Sequence, residues 1–262
     1  MNDVDASLYE APFEYVVKHV KLERENNNRK VYGRYWWRHG EPRIAMRFAL
    51  TTLHRYIAIS AVSKHIIFTW VHGNILPDKA LIVFARDDDA TFGILHSRFH
   101  ELWSLAQCTW MGKGNDPRYT PTTCFETFPF PAGLTPNIPA ANYAENSHAK
   151  TITEAAVDLN QKRENWLNPL EWVEWIITPE EEQAGYPKRP VAKTGYEADL
   201  KKCTLTNLYN TRPAWLDMAH KTLDKAVAAA YGWTDYTPEM SDDEILRRLL
   251  VLNLERSKVM KA

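Results

Sequence analysis

The sequence predicts an α+β fold: a mixed, small β-sheet with helices, followed by a mainly α-helical C-terminal domain. Three observations predict it. Short apolar segments rich in β-branched and aromatic residues cluster between Tyr56 and Ala85. Apolar residues then recur at three- and four-residue spacing from Phe92 onward. Prolines at 129, 131, 136 and 139 separate this region from a long stretch dominated by helical periodicity.

Taken in chain order, Pro12 to Arg29 is polar with mixed charge (Glu14, Lys18, Lys21, Glu25), as in a solvated helix or a connector. Residues 1–30 are therefore expected to join this chain to something upstream. Three strands are expected at Tyr56–Ile59, Ile66–Val71 and Ala80–Ala85, the last two separated by the turn signals Gly73-Asn74 and Pro77-Asp78. After Asp87-Asp88-Asp89, the residues Phe92, Leu95, Phe99, Leu102 and Ala106 would form one buried stripe on one helix. The acids stand before it, where the helix dipole favours negative charge. Met111 to Tyr119 is rich in turn residues. Residues 132–150 read as a linker. Beyond it, helices are expected over Thr151–Trp166 and Ala214–Trp233. A last helix opens on Ser241-Asp242-Asp243-Glu244, whose Ser-x-x-Glu spacing can satisfy two free N–H groups reciprocally. It should bury Ile245, Leu249 and Leu252. Glu171 to Lys201 reads as irregular.

Composition narrows the classes. Hydrophobic residues make up 45% of the 262, enough for a packed core and against wholesale disorder. The net charge of −1 excludes a uniformly polybasic binder. The average conceals an asymmetry, however. Arg29 to His65 holds eight Lys or Arg against the single acid Glu41, whereas Thr151 to the C-terminus holds 15 basic and 18 acidic residues. A local positive excess of this kind is the electrostatic footprint of a polyanion partner. Three cysteines, with no Cys-x-x-Cys spacing, argue against a disulfide framework or a zinc site. No signal-peptide pattern opens the chain and no apolar run approaches the ~20 residues of a membrane span. The expectation is a cytoplasmic protein without a membrane segment.

Several catalytic patterns are missing. There is no Asn/Asp-Pro-Pro-aromatic motif to hold the amine of a flipped base; Asn168-Pro169-Leu170 lacks the second proline and the aromatic. There is no G-x-x-x-x-G-K-[ST] loop, no H-E-x-x-H and no G-x-S-x-G. Asp87-Asp88-Asp89 could be read as a metal cluster, but adjacent residues on a strand face opposite ways, and a helix cap fits better. His100 and Cys108 stand too far apart to act as a pair. No metal and no catalytic residue are expected.

Longer motifs are more specific. Tyr32-Gly33-Arg34-Tyr35-Trp36-Trp37-Arg38-His39 resembles the segment that enters the target-recognition domain of MmeI-like type IIG restriction–modification DNA methyltransferases. Arg55-Tyr56-Ile57-Ala58, Val62-Ser63-Lys64-His65 and Leu76-Pro77-Asp78 resemble the stretch that follows. Phe92 to Trp103 resembles the central helix. The strongest likeness is Arg118-Tyr119-Thr120-Pro121-Thr122-Thr123 with Phe125-Glu126-Thr127-Phe128-Pro129-Phe130-Pro131, similar to the end of that domain. Leu205 to Leu216 and Ala229-Ala230-Tyr231-Gly232-Trp233 are similar to the family's helical C-terminal domain.

The resemblance implies a DNA-recognition domain at 31–131 and a helical C-terminal domain at 151–262, both belonging to a larger bacterial enzyme. The parent would methylate DNA, with adenine N6 as the acceptor, and would carry S-adenosylmethionine on an upstream methyltransferase domain; this chain would hold no cofactor and be inactive alone. Its partners would be double-stranded DNA and that upstream domain. Because a methyltransferase must extrude its target base, recognition divides between phosphate contacts that fix register and base-edge contacts that supply sequence. Arg34, Arg38, Arg43, Lys64, Lys113 and Arg118 are the phosphate candidates. Arg98, Ser97 and His96, with Arg86 behind them, are the base-reading candidates, since an arginine fork matches guanine O6 and N7. Two alternatives stay open: each basic residue as an ordinary solvated or paired surface charge, and the whole chain as a docking domain that reads no bases.

Overall fold

The computed structural model describes residues 2–41 and 43–259. The chain divides into two compact units, Met1–Ala49 and Leu50–Ala262.

The first unit is helical throughout: α1 (Asp3–Ser7), α2 (Glu10–Val16), α3 (Leu22–Glu25), α4 (Lys30–Arg34) and the start of α5 (Ile44–Leu50), with α2 running through a π-helical turn at Val17–Lys21 into α3. A capping box starts α1: Asp5 N–H donates to Asn2 Oδ1 at 2.8 Å and Asn2 N–H to Asp5 Oδ2 at 3.0 Å. Aromatic residues hold the unit together, with Phe13 against Trp36 at 5.4 Å and Trp36 edge-on to Trp37 at 5.8 Å between ring centroids. Trp36 and Trp37 therefore pack on each other. Ala6 alone is fully buried among the described residues of this unit, while Val4, Leu8, Leu22, Val31, Ile44 and Phe48 are exposed. So thin an interior gives little independent stability.

The second unit opens on a three-stranded antiparallel sheet of β1 (Arg55–Ser60), β2 (Phe68–His72) and β3 (Leu81–Phe84), in the order β2-β1-β3. All three expected strands are present. Ile57 stands opposite both Trp70 and Phe84, in the middle of the sheet. Two helices follow, α6 (Asp89–His96) and α7 (Arg98–Gln107). The single expected helix is thus broken at Ser97, which is extended and whose hydroxyl caps the new helix at His100. The break resets the apolar stripe: Phe92, Leu95 and Phe99 are buried as expected, but Trp103 takes the inner position while Leu102 is only partly buried and Ala106 is exposed.

A short hairpin, β4 (Thr109–Met111) with β5 (Asp116–Arg118), lies in the turn-rich stretch. The remainder is α8 (Ser147–Leu167), β6 (Val173–Ile176), α9 (Pro179–Gln183), β7 (Arg189–Ala192), α10 (Glu197–Leu200), α11 (Leu205–Thr211), α12 (Ala214–Ala230) and α13 (Asp242–Val259). The 171–201 stretch, expected to be irregular, forms the β6–β7 antiparallel pair around α9, and Asn74 donates to Gly185 O at 2.7 Å to seat it.

One apolar cluster runs through this unit, from Ile57 and Phe68 on the sheet through Phe92, Ile152 and Leu159 to Leu223, Ile245 and Leu249. Leu134 and Tyr143 belong to it, so residues 132–150 are packed rather than a free linker. Gly93 sets how closely the helices meet. A Cβ there would lie 2.8 Å from Ile152 Cγ2 and 3.0 Å from Ala156 Cβ, so α6 approaches α8 as closely as backbone allows. Ile245 and Leu249 are fully buried; Leu252 is partly so.

Candidate nucleic-acid interface

Of the four base-reading candidates, His96 and Ser97 are buried, and Arg86 and Arg98 are partly buried and engaged by partners within the fold. His96 Nε2 stands 2.8 Å from Arg163 Nη1, and Arg163 Nη2 donates to Phe68 O at 2.9 Å. Burial, then the Arg163 charge, hold His96 well below the usual imidazole pKa, so the ring is neutral and accepts from the guanidinium. The Ser97 hydroxyl donates to Ile94 O at 2.6 Å. Arg98 reaches the start of α13: it donates to Pro238 O at 3.1 Å and Met240 O at 2.8 Å, and pairs with Asp242 at 2.5 Å. Arg86 pairs with Asp88 at 2.8 Å and donates to Ile138 O at 2.7 Å, to Pro136 O and to the Tyr143 hydroxyl. Each guanidinium already fills its donor fork with protein acceptors, which leaves little for a base edge.

The same reasoning explains the acids before α6. Asp88 accepts from Thr91 N–H at 2.8 Å and caps the helix, and Asp89 pairs with Arg55 at 2.7 Å. Among the described residues no group of three or more His, Cys, Asp or Glu side chains is placed to hold a metal ion.

The phosphate candidates lie differently. In the first unit Arg34, Arg38 and Arg43 are exposed. Arg34 and Arg38 lie over the Tyr35 ring at 5.4 and 4.9 Å, and Arg43 pairs with Glu41 at 2.6 Å. In the second unit Lys64, Lys113 and Arg118 are exposed and none pairs with a carboxylate among the described residues. The backbone brings these three onto one ribbon. Arg118 stands opposite Thr109 on one side and Val62 on the other, and Ser63 N–H donates to Pro117 O at 3.4 Å. The loop that carries Lys64 therefore runs along β5, and Lys113 sits in the turn between β4 and β5. Gly112 and Gly114 take positive φ (62° and 83°) on either side of Lys113, which lets the turn close tightly. Cross-strand pairing puts Val62, Arg118 and Thr109 in one row, with Met111 and Asp116 in the next row of the same face. Val62, Met111 and Trp110 are exposed apolar side chains around these cations.

The family model described as "MmeI, target recognition domain" matches residues 43–132. That span holds the three-stranded sheet, α6, α7 and the β4–β5 ribbon. The span matches an MmeI-type target recognition domain. The structure of the Type IIL restriction-modification enzyme MmeI in complex with DNA is similar over 97% of this chain, with a TM-score of 0.59 and 19% sequence identity. At that identity the likeness is one of fold. The chain spans 28% of the length of that enzyme. No curated protein sequence matches the chain.

Sequence reasoning missed Trp110 and Met111 on the ribbon and, beyond residue 132, Asn210. Asn210 lies on α11, yet its side-chain oxygen stands 2.6 Å from Lys64 Nζ and 2.9 Å from His65 Nε2. Gly-Lys-Gly between two short apolar-containing segments is a hairpin signal that could have located the first two. Nothing local marks Asn210, because its partners are about 146 residues away.

Proposed function

We propose that this chain reads a short site in double-stranded DNA on behalf of a larger bacterial restriction–modification enzyme. The observation that carries the reading is the pattern of pairing among its cations. Arg55, Arg86 and Arg98 are paired with carboxylates, and Arg163 is buried against a carbonyl and a histidine. Lys64, Lys113 and Arg118 are left exposed on one ribbon of a target recognition domain. Cations without carboxylate partners bind phosphodiesters most favourably, since no internal pair has to be broken and condensed counterions are released. Arg34 and Arg38 of the first unit are further phosphate candidates by their exposure, whereas Arg43 would first have to leave Glu41.

The parent enzyme on this reading is an S-adenosylmethionine-dependent DNA methyltransferase acting on adenine N6. The residues of this chain do not fit the cofactor. A shallow apolar cavity of about 360 Å³ is lined by Trp166, Pro169 and Trp172, without a glycine loop after a strand to approach a methionine tail. The cofactor belongs to an upstream methyltransferase domain of the same polypeptide. The exposed apolar side chains of the first unit, together with its cavity of about 240 Å³ between Ala6, Phe13, Val16 and Trp37, suit contact with such a domain.

The test is equilibrium binding of the full chain to duplex DNA across salt concentrations. Each phosphate contact contributes about −0.9 to the slope of log K against log salt, so replacing Lys64, Lys113 and Arg118 by alanine removes up to roughly 2.7. A folded chain with no salt-dependent affinity for duplex DNA would leave the docking reading in its place.

A further inference from the structure

The end of α11 carries a feature the ribbon does not explain. Among the described residues, two that are not glycine have positive φ, and both are arginines: Arg43 at 49° and Arg212 at 41°. Arg212 ends α11 in the left-handed region (φ 41°, ψ 64°), with its N–H donating to Leu208 O at 2.8 Å, and Pro213 follows. That position is one where glycine or asparagine is the unstrained choice. Proline at 213 also disfavours the right-handed alternative for residue 212. The chain nevertheless places a long cation there.

The surroundings of Arg212 point outward to an anion. Its Nε is 3.1 Å from Asp217 Oδ1, and Lys221 shares that carboxylate at 2.8 Å, which leaves two cations on one acid. No partner holds the Nη groups of Arg212 among the described residues. Two residues earlier, Asn210 Oδ1 accepts from Lys64 at 2.6 Å and lies 2.9 Å from His65 Nε2. With its oxygen so engaged, the exposed Asn210 side chain keeps its amide nitrogen as a donor. Arg212 stands two residues after Asn210, whose side chain meets both Lys64 and His65, so the end of α11 lies against the Lys64 loop. The charged and titratable groups facing this junction are Lys64, His65, Glu101, Arg212, Asp217 and Lys221.

We infer that Asn210 and Arg212, at the C-terminal end of α11, form with Lys64 a seat for one backbone phosphate of duplex DNA. This rests on the reading of the ribbon as a DNA-binding face and extends that face beyond residues 43–132. The acceptor oxygens of a phosphodiester meet the Lys64 ammonium, the Asn210 amide and the Arg212 fork, all donors. Strain is tolerated at Arg212 because the side chain is needed where the backbone turns.

The test compares three variants of the full chain, Arg212→Gly, Arg212→Lys and Arg118→Ala, by duplex binding at about 50 to 200 mM salt and by thermal unfolding. Arg212→Gly relieves the backbone strain and removes the cation. Its midpoint stays the same or rises, while the salt slope loses about 0.9 and affinity at about 0.1 M salt falls roughly eightfold. Arg212→Lys keeps the slope. If Arg118→Ala loses slope and Arg212→Gly does not, the seat is wrong and the ribbon stands. If Arg212→Gly lowers the melting midpoint and leaves binding unchanged, the residue is structural only. Saturable binding of inorganic phosphate that depends on Arg212, with duplex affinity untouched by its loss, would make this a small-anion site and overturn the inference. Absence of duplex binding by the unaltered chain would overturn both readings.

Discussion

Arg98→Ala separates a structural arginine from a base reader. The side chain is one-quarter exposed and donates to Pro238 O, Met240 O and Asp242, tying α7 to the segment that opens α13. Asp242 is itself 59% exposed, so the ion pair is screened and contributes about 1 kcal/mol or less. Each carbonyl bond contributes about 0.5–1.5 kcal/mol, and the truncation leaves both carbonyls near a partly buried surface. The sum is about 3 kcal/mol. For a chain of this size each kcal/mol lowers the melting midpoint by about 2–4 °C, which gives a fall of roughly 6–12 °C. The assay pairs thermal unfolding with selection of bound duplexes from a randomised pool. The expected result is a lower midpoint and the same selected sequence. A changed base preference at an unchanged midpoint would refute the assignment and restore Arg98 as a reader.

Three further outcomes follow from the packing and the buried charges. Burial raises the Asp224 carboxyl to about 7, although it accepts from Arg98 N–H at 2.7 Å. The folded pKa exceeds the unfolded one, so the native state binds the extra proton between about pH 4 and 7 and stability falls as pH rises through that window; Asp224→Asn flattens this slope in pH-dependent urea unfolding. Burial depresses His100 and His220 to about 3, so the unfolded chain takes up protons first and stability falls as pH drops from about 6.5 toward 3; His220→Gln weakens that acid limb. Gly93→Ala forces α6 away from Ile152 and Ala156 and costs about 1–3 kcal/mol by urea denaturation; an unchanged midpoint would show that the helices separate freely.

Much of the fold was legible because its signals are local. The three strands announce themselves by β-branched and aromatic runs, and α12 and α13 by apolar spacing and an N-terminal cap. In the Phe125–Pro131 motif, named for its resemblance, Phe128 and Phe130 are buried. What escaped depends on distant partners. Ser97 looks like an ordinary helical residue until its capping hydroxyl breaks the helix. Arg98 looks like a surface residue beside Glu101 until Asp242, 144 positions on, takes its guanidinium. The β6–β7 pair holds few apolar residues in alternation, and the backbone of Gly185, seated on Asn74, is invisible to periodicity. In the candidate site, the sequence named Lys64 from a basic cluster and Lys113 and Arg118 from a turn-rich stretch. It could not tell them from Arg86 and Arg98, because the distinguishing property is whether a carboxylate or carbonyl from elsewhere already occupies the fork.

That property also determines which positions can change. Arg86 ties the end of β3 to the 136–143 segment, His96 ties the sheet to α8 and Arg98 ties α7 to the start of α13, so altering any of them leaves buried or partly buried groups without partners, at about 1–3 kcal/mol each. Substitutions on the β4–β5 ribbon touch no such network. Thr109, Met111, Lys113 and Arg118 are exposed, and surface changes of this kind stay within about 0.5 kcal/mol. On the proposed reading, a recognition domain meets two demands that conflict if placed on the same residues: a rigid frame that holds register, and contacts that can be exchanged when the DNA site differs. The fold separates them. The apolar cluster from Ile57 to Leu249 supplies the frame, and the ribbon, projecting beside it with glycines at its turn, carries side chains whose replacement leaves that frame intact.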